Sequence, residues 1–296
     1  MHEGKNDPRS LVMLISALLI FGSIGIIRRF IPLSSAFLAF ARGTLGGLFI
    51  LAFMKVTGRR ILGGMNAGQF LWLACTGAVM GCNWILLFEA YEHTTIAVAT
   101  LCYYMQPTIV MLVSPFLFKE KLTKKKAVCA AAALIGMMLV SGVFEGGGAQ
   151  SRDMRGILFG LSAAVLYAGV VIMNKKIRGI DVYRKTAVQL LSAGLVMVPY
   201  LVLGKGFPAA VPDLPVILLL LTAGIFHTGI AYVLYFGSMD GLKAQSIAIY
   251  SYIDPVSALL FSAVLLRETI SISCLAGAVL IIGSALVCEL PAEKST

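Results

Sequence analysis

The sequence predicts an all-α integral membrane protein: ten transmembrane helices arranged as two inverted five-helix repeats. Three observations predict it. Hydrophobic residues make up 59% of the 296 residues and charged residues 13%, with a mean hydropathy of +0.91; a soluble domain carries about 25% charged residues. The stretch Tyr104–Glu120, YMQPTIVMLVSPFLFKE, returns in the second half as Tyr252–Glu268, YIDPVSALLFSAVLLRE, so the chain repeats itself at about half its length. The net charge of +10 sits in short clusters between apolar runs. That distribution reflects insertion topology, not a nucleic-acid partner. Aromatic residues are scattered along long runs, which argues against the short alternating strands of a membrane barrel.

A spanning helix needs about 20 mostly apolar residues, and the runs near 10–30, 33–54, 68–90, 95–118, 124–143, 155–175, 182–204, 213–237, 244–266 and 271–289 meet that need. The first run follows Lys5 and Arg9 in the manner of a signal peptide. Its segment Ser16–Arg29 has an internal copy, Ser162–Lys175, and an internal copy is not a cleaved leader, so the run is read as a spanning helix. Pro32 and Ser34–Ser35 part the first two helices. Thr123 and Ser271 are suited to cap the fifth and tenth. Glu145–Arg155, EGGGAQSRDMR, joins the halves, 1–148 and 149–296. Lys205–Pro215, rich in glycine and proline, is a turn before the eighth helix.

With the N-terminus inside, most lysines and arginines fall on one side: Lys5, Arg9, Lys55, Arg59, Arg60, Lys119–Lys126 and Lys175–Lys185 among them. Few fall on the other, Arg28, Arg29, Arg152, Arg155, Lys205 and Arg267. The bias puts both termini in the cytoplasm. Five helices per half is an odd number, so the second half enters inverted. The loop KEKLTKKK after the fourth helix is basic, whereas its copy RETISIS after the ninth keeps only Arg267. Inverted repeats mark secondary transporters, with the substrate site near the midplane.

Polar groups inside the runs are the candidates for function. Pro107 and Pro255 each remove a backbone donor early in a membrane helix, as a gating kink or a fixed bend. Tyr103, Tyr104, Gln106, Tyr250 and Asp254 flank them. Rings with an amide and a carboxylate suit a small amphipathic molecule, and an interfacial aromatic belt is the other reading. Asn83 and Trp84 lie in the third helix and Trp84 aligns with Tyr232 in the eighth; Tyr167 lies in the copy of the first. These residues and His227 complete the expected substrate site. Glu89 and Asp254 are the acids expected within hydrocarbon and are candidates for proton coupling. His227 is read either as a hydrogen-bonded interior residue or as a relay. Arg42, the basic residue well inside a helix, must pair or face water, and a structural charge is favoured over contact with a substrate carboxylate. Glu120 and Glu268 close their helices and are expected to pair with nearby cations and cap the next helix. His2, His93 and His227 share no ligand spacing and the six cysteines form no CxxC, so no metal is expected. No GxxxxGK[ST] loop is present, and no cofactor or nucleotide chemistry is expected.

The order of these features resembles the drug/metabolite transporter superfamily, in its ten-helix EamA-type branch. The carrying residues are Asn83–Trp84, Tyr104, Pro107 and Glu120, their copies Tyr252, Pro255 and Glu268, and Arg42. Where relatives often carry Trp-Gly in the first helix, this chain has Phe21–Gly22. The resemblance implies a multi-pass inner-membrane carrier with a small-molecule substrate, working by alternating access, with protons as a candidate coupling ion. Amino acids or their relatives are the favoured substrates and export the favoured direction. The expected assembly is a monomer or homodimer in the lipid bilayer. The competing readings are a membrane-embedded enzyme acting on a lipid or polyprenyl substrate and a passive channel. The first needs clustered catalytic polar groups, and the three histidines are scattered. The second needs a continuous polar stripe.

Overall fold

In the computed structural model, residues 7–60, 65–140, 154–204, 206–265, 267 and 271–289 are described, and those in regular structure are helical. The elements are α1 (Pro8–Arg28), α2 (Ser35–Val56), α3 (Ala67–His93), α4 (Ile96–Tyr103), α5 (Met105–Phe118), α6 (Lys124–Val140) and α7 (Met154–Lys176). They continue as α8 (Val182–Leu203), α9 (Leu214–Gly224), a π-helical turn (Ile225–Ile230), α10 (Ala231–Ser238), α11 (Ala244–Tyr250), α12 (Ile253–Leu265) and α13 (Ile272–Glu289). Pairing α4 with α5, α9 with α10 through the π turn, and α11 with α12 gives the ten expected spans. Eight described helical spans are long and apolar enough to cross a membrane, and Ile272–Cys288 is a shorter apolar helix. The chain is therefore a multi-pass membrane protein.

Short polar side chains start these helices by accepting amide protons that have no partner inside the helix. Asp7 accepts from Arg9 and Ser10, Ser34 from Phe37, and Thr95 from Val98. Asn66 and Gln69 form a capping box at α3. Thr123 and Ser271 cap as expected, accepting from Lys126 and Cys274. The Glu145–Arg155 junction falls largely outside the described residues, as does Glu268.

Three spans expected as single runs are interrupted. The fourth breaks at Tyr104 and the ninth at Ser251–Tyr252, three residues or so before Pro107 and Pro255. Each proline thus sits in the first turn of a restarted helix, where a backbone N–H would have no intrahelical partner and its loss costs little. The symmetry of the repeat extends to the far end of these spans. Lys119 and its copy Arg267 both adopt left-handed backbone, at φ 56° and 57°.

The two repeats interlock. α3 packs on α7 and α8, α2 on α8, α1 on α10 and α12, α5 on α11, and α6 on α13. Each of these pairs joins the halves, and they occur as symmetry mates: α3 with α7 mirrors α10 with α1, and α12 with α1 mirrors α4 and α5 with α7. Small residues permit the approach. A Cβ at Gly136 would lie 2.7 Å from the Gly277 carbonyl oxygen, so α6 and α13 touch backbone to backbone. Gly283 faces open space.

Candidate functional site

The interlocked repeats leave a cavity of about 440 Å³ between them, within the range of small-molecule sites. Its wall comes from both halves. α1 gives Phe21, Gly22 and Arg28, α2 gives Arg42, and α3 gives Trp84, Phe88 and Tyr91. The break in the fourth span gives Tyr103, Tyr104 and Gln106; α7 gives Tyr167, α10 gives Tyr232 and Tyr235, and the break in the ninth gives Ser251 and Asp254. The helix restarts thus carry repeat-related residues, Gln106 and Asp254, to one cavity.

The two breaks are tied together across the repeat. The Tyr104 hydroxyl donates to Asp254 Oδ2 at 3.0 Å, and the hydroxyls of Thr108 and Tyr252 lie 2.8 Å apart. Tyr104 and Tyr252 are copies of one another, so each break reaches for the other through the same tyrosine. Aromatic edges close the box. Phe21 meets Tyr232 at 5.0 Å and Tyr235 at 5.8 Å, both edge-on, and Tyr103 lies 5.8 Å from Tyr167.

Two charges and a spare donor interrupt this apolar wall. Arg42 donates Nε–H to the Thr228 hydroxyl at 3.0 Å, while Asp254 is held by Tyr104. Gln106 is 3% exposed, and its Nε2 has no hydrogen-bond partner among the described residues. A buried amide donor without a partner is costly.

The structure brings Trp84, Tyr103, Tyr104, Gln106, Tyr167, Tyr232, Asp254 and Arg42 to the cavity wall. It sets Asn83, His227 and Tyr250 elsewhere. Asn83 Nδ2 donates to the Ala163 carbonyl at 2.6 Å, fastening α3 to α7. His227 lies in the π turn, with Nε2 3.0 Å from Ser23 Oγ. Tyr250 is buried in the core beside the cavity. Glu89 lies outside the cavity, accepting from Tyr200 at 2.8 Å with His93 3.8 Å away. Pro107 and Pro255 are buried at the breaks. Glu120 caps α11 of the other repeat, accepting from Ala244 and Gln245 amides at 2.7 and 3.1 Å. The helix next in sequence to Glu120 is capped by Thr123 instead. Tyr235 in the cavity wall and Thr228 as the partner of Arg42 were not evident in the sequence. Tyr235 is one helical turn from Tyr232 on the same face, a signal that was present. Thr228 meets its partner only through tertiary packing.

The cavity wall reaches Arg28 and Ser35 at one end of the bundle and includes no residue from the lysine-rich end. There the connection between α10 and α11 is gripped from three sides. Lys175 Nζ donates to the Met239 carbonyl at 2.8 Å and also to that of Leu242. The Asp7 amide donates to Gly241 at 3.0 Å, and Lys126 Nζ to Gln245 Oε1 at 2.6 Å. Nearby, Asn174 and Gln189 exchange side-chain hydrogen bonds at 2.9 and 2.8 Å.

A family model described as the EamA-like transporter family matches residues 8–142 and 154–289, one match per repeat. The chain is 26% identical over 262 residues to the uncharacterized transporter YxxF of Bacillus subtilis, covering 88% of this chain and 83% of that one. It is 29% identical over 267 residues to a probable amino-acid metabolite efflux pump of Salmonella typhimurium, covering 84% and 83%. A solved crystal structure superposes with a TM-score of 0.83 at 22% identity, covering 94% of this chain and 96% of that one.

Proposed function

The chain belongs to the EamA-like transporter family, and from that premise we propose that it is a secondary-active exporter of a small amphipathic metabolite, an amino acid or a close relative, across the cell's inner membrane. The observation that carries this reading is the pairing of charges in the cavity. Arg42 and Asp254 line the same space and are each bonded to a different hydroxyl, not to one another. A zwitterion supplies what both lack: a carboxylate for the guanidinium and an ammonium for the carboxylate. Between them the aromatic wall takes an apolar side chain, and Gln106 offers its spare N–H to a substrate oxygen. The name of the Salmonella relative, an amino-acid metabolite efflux pump, supports the same class.

The lysine-rich end is the cytoplasmic one by the positive-inside rule, which leaves the cavity reaching outward and the gripped Met239–Gln245 connection as the inner closure. Alternating access then exchanges this closure for one at the Arg28 end, through the symmetric helix pairs that join the halves. Asp254 also suggests how transport is driven. A carboxylate within the membrane needs a partner or a proton. Substrate ammonium and a proton are therefore alternatives at one site, so the empty carrier returns protonated and the exchange is a proton antiport.

Counterflow in proteoliposomes tests this reading. Preloaded unlabelled amino acid should drive transient, saturable accumulation of labelled amino acid, and net efflux into amino-acid-free buffer should carry protons in the opposite sense. Flux without saturation or counterflow would make the protein a channel and refute the proposal.

A further inference from the structure

The strongest unassigned feature is the π-helical turn in the eighth span. Here the Ala231 amide bonds back to the Phe226 carbonyl, five residues earlier, and such turns insert one extra residue into a helix. The Thr228 hydroxyl has the same spacing and donates its single proton to the Ala223 carbonyl at 2.8 Å. Its oxygen is left as an acceptor, and Arg42 Nε–H fills that role at 3.0 Å.

The contact depends on close approach of α2. Gly46 lies one turn beyond Arg42 on the same face. A Cβ there would sit 2.8 Å from the Gly224 carbonyl oxygen and 3.0 Å from the Gly229 amide nitrogen. A Cβ at Gly229 would in turn lie 3.3 Å from the Gly46 carbonyl oxygen. Glycine on both sides of the contact brings the two backbones together, and a side chain as short as threonine then reaches the guanidinium.

Nε is the inner edge of the guanidinium. Holding it leaves both terminal amino groups for the cavity, and neither has a protein hydrogen bond among the described residues. That pair of N–H groups forms the fork that matches a carboxylate. We propose that the π turn, through Thr228, is the positioning device for Arg42, presenting its terminal amino groups to the carboxylate end of the substrate. This rests on the amino-acid reading above and assigns Thr228, which contacts no substrate itself, as a determinant of carboxylate specificity.

The test uses full-length protein in proteoliposomes, with counterflow of L-leucine and L-phenylalanine. Isopentylamine and phenethylamine, which lack only the carboxylate, serve as comparison probes. Thr228→Val removes the hydroxyl and keeps the shape; Thr228→Ser keeps the hydroxyl. Loss of one hydrogen bond to a charged group corresponds to roughly a tenfold rise in KM for the amino acids. The maximal rate and the KM for the amines should stay within about twofold, and Thr228→Ser should restore the amino-acid KM. In an Arg42→Lys background, which has no Nε, Thr228→Val should add nothing further. Equal KM changes for acids and amines, or an unchanged amino-acid KM in Thr228→Val, would overturn the proposal. If Thr228→Val does not yield monodisperse protein, Thr228→Ala is read by the same criteria. Wild-type protein that moves none of the amino acids would overturn the amino-acid reading and this inference with it, whereas wild-type counterflow insensitive to Thr228 defeats the inference alone.

Discussion

Asp254→Asn separates the chemistry of the cavity from its architecture. Asp254 accepts the Tyr104 hydroxyl proton at 3.0 Å, and an asparagine keeps an amide oxygen in the same position. The bond between the two helix breaks survives, so the melting temperature should change little. What is lost is the charge. A hydrogen bond to a charged group contributes about 1.5–3 kcal/mol net, and Asp254 is the acid lining this cavity. Its removal should therefore raise the KM for an amino acid between about tenfold and a hundredfold. It should also abolish proton exchange, because the residue can no longer take up a proton when substrate leaves. The assay is counterflow for the KM and net efflux into amino-acid-free buffer, with a trapped pH-sensitive dye, for proton exchange. Asp254→Ala is the structural comparison. It removes the acceptor of the half-buried Tyr104 hydroxyl, a loss of about 0.5–1.5 kcal/mol, and should lower the melting temperature where Asp254→Asn does not. Asp254→Asn protein that keeps its KM within twofold and still moves protons would refute the assignment of both roles.

Packing and caps give three further outcomes. Gly46→Val should cost about 1–3 kcal/mol, because its Cβ meets backbone of Gly224 and Gly229 that cannot yield cheaply. Gly25→Ala, with nothing within 4 Å, should be neutral or slightly stabilising; thermal unfolding of the two variants checks both. Glu120→Ala removes the acceptor of the Ala244 and Gln245 amides and should destabilise by about 1–2 kcal/mol. The hydroxyl and amide of Ser10 hold Asp7 below the usual carboxylate value of 3.8. Its folded value is depressed, so its contribution is present above the unfolded value and lost as pH falls through the folded one. The difference in melting temperature between wild type and Asp7→Ala should be constant above about pH 5 and shrink below it.

Much of the architecture was legible in the chain itself. Ten apolar runs, the copy of Tyr104–Glu120 at Tyr252–Glu268 and the one-sided lysines were enough for ten spans in two inverted repeats. They suffice because lipid demands long, internally hydrogen-bonded apolar helices, and that demand is local. The repeat also identified Tyr104, Gln106, Pro107 and Asp254 as residues at a special point in their spans, and the helices do break there. Three things were decided by tertiary structure. The first is which face of each helix meets the cavity. These helices are apolar nearly all round, so periodicity does not separate the face toward lipid from the face toward protein, and Asn83 and Trp84, adjacent in sequence, part between a helix–helix contact and the cavity. The second is partnership across the repeats. Arg42 meets Thr228, Glu120 meets Ala244, and Lys126 meets Gln245, pairings set by the interlocking of the halves and carried by no local pattern. The third is the π turn. An extra residue rotates the remainder of its helix by about 100°, so Thr228 and His227 do not lie where a regular helix would put them. The physical reason is shared: in a bundle assembled within lipid, sequence hydropathy specifies that a segment spans, while rotation and partners are fixed only when backbones pack closely enough for polar side chains to find one another.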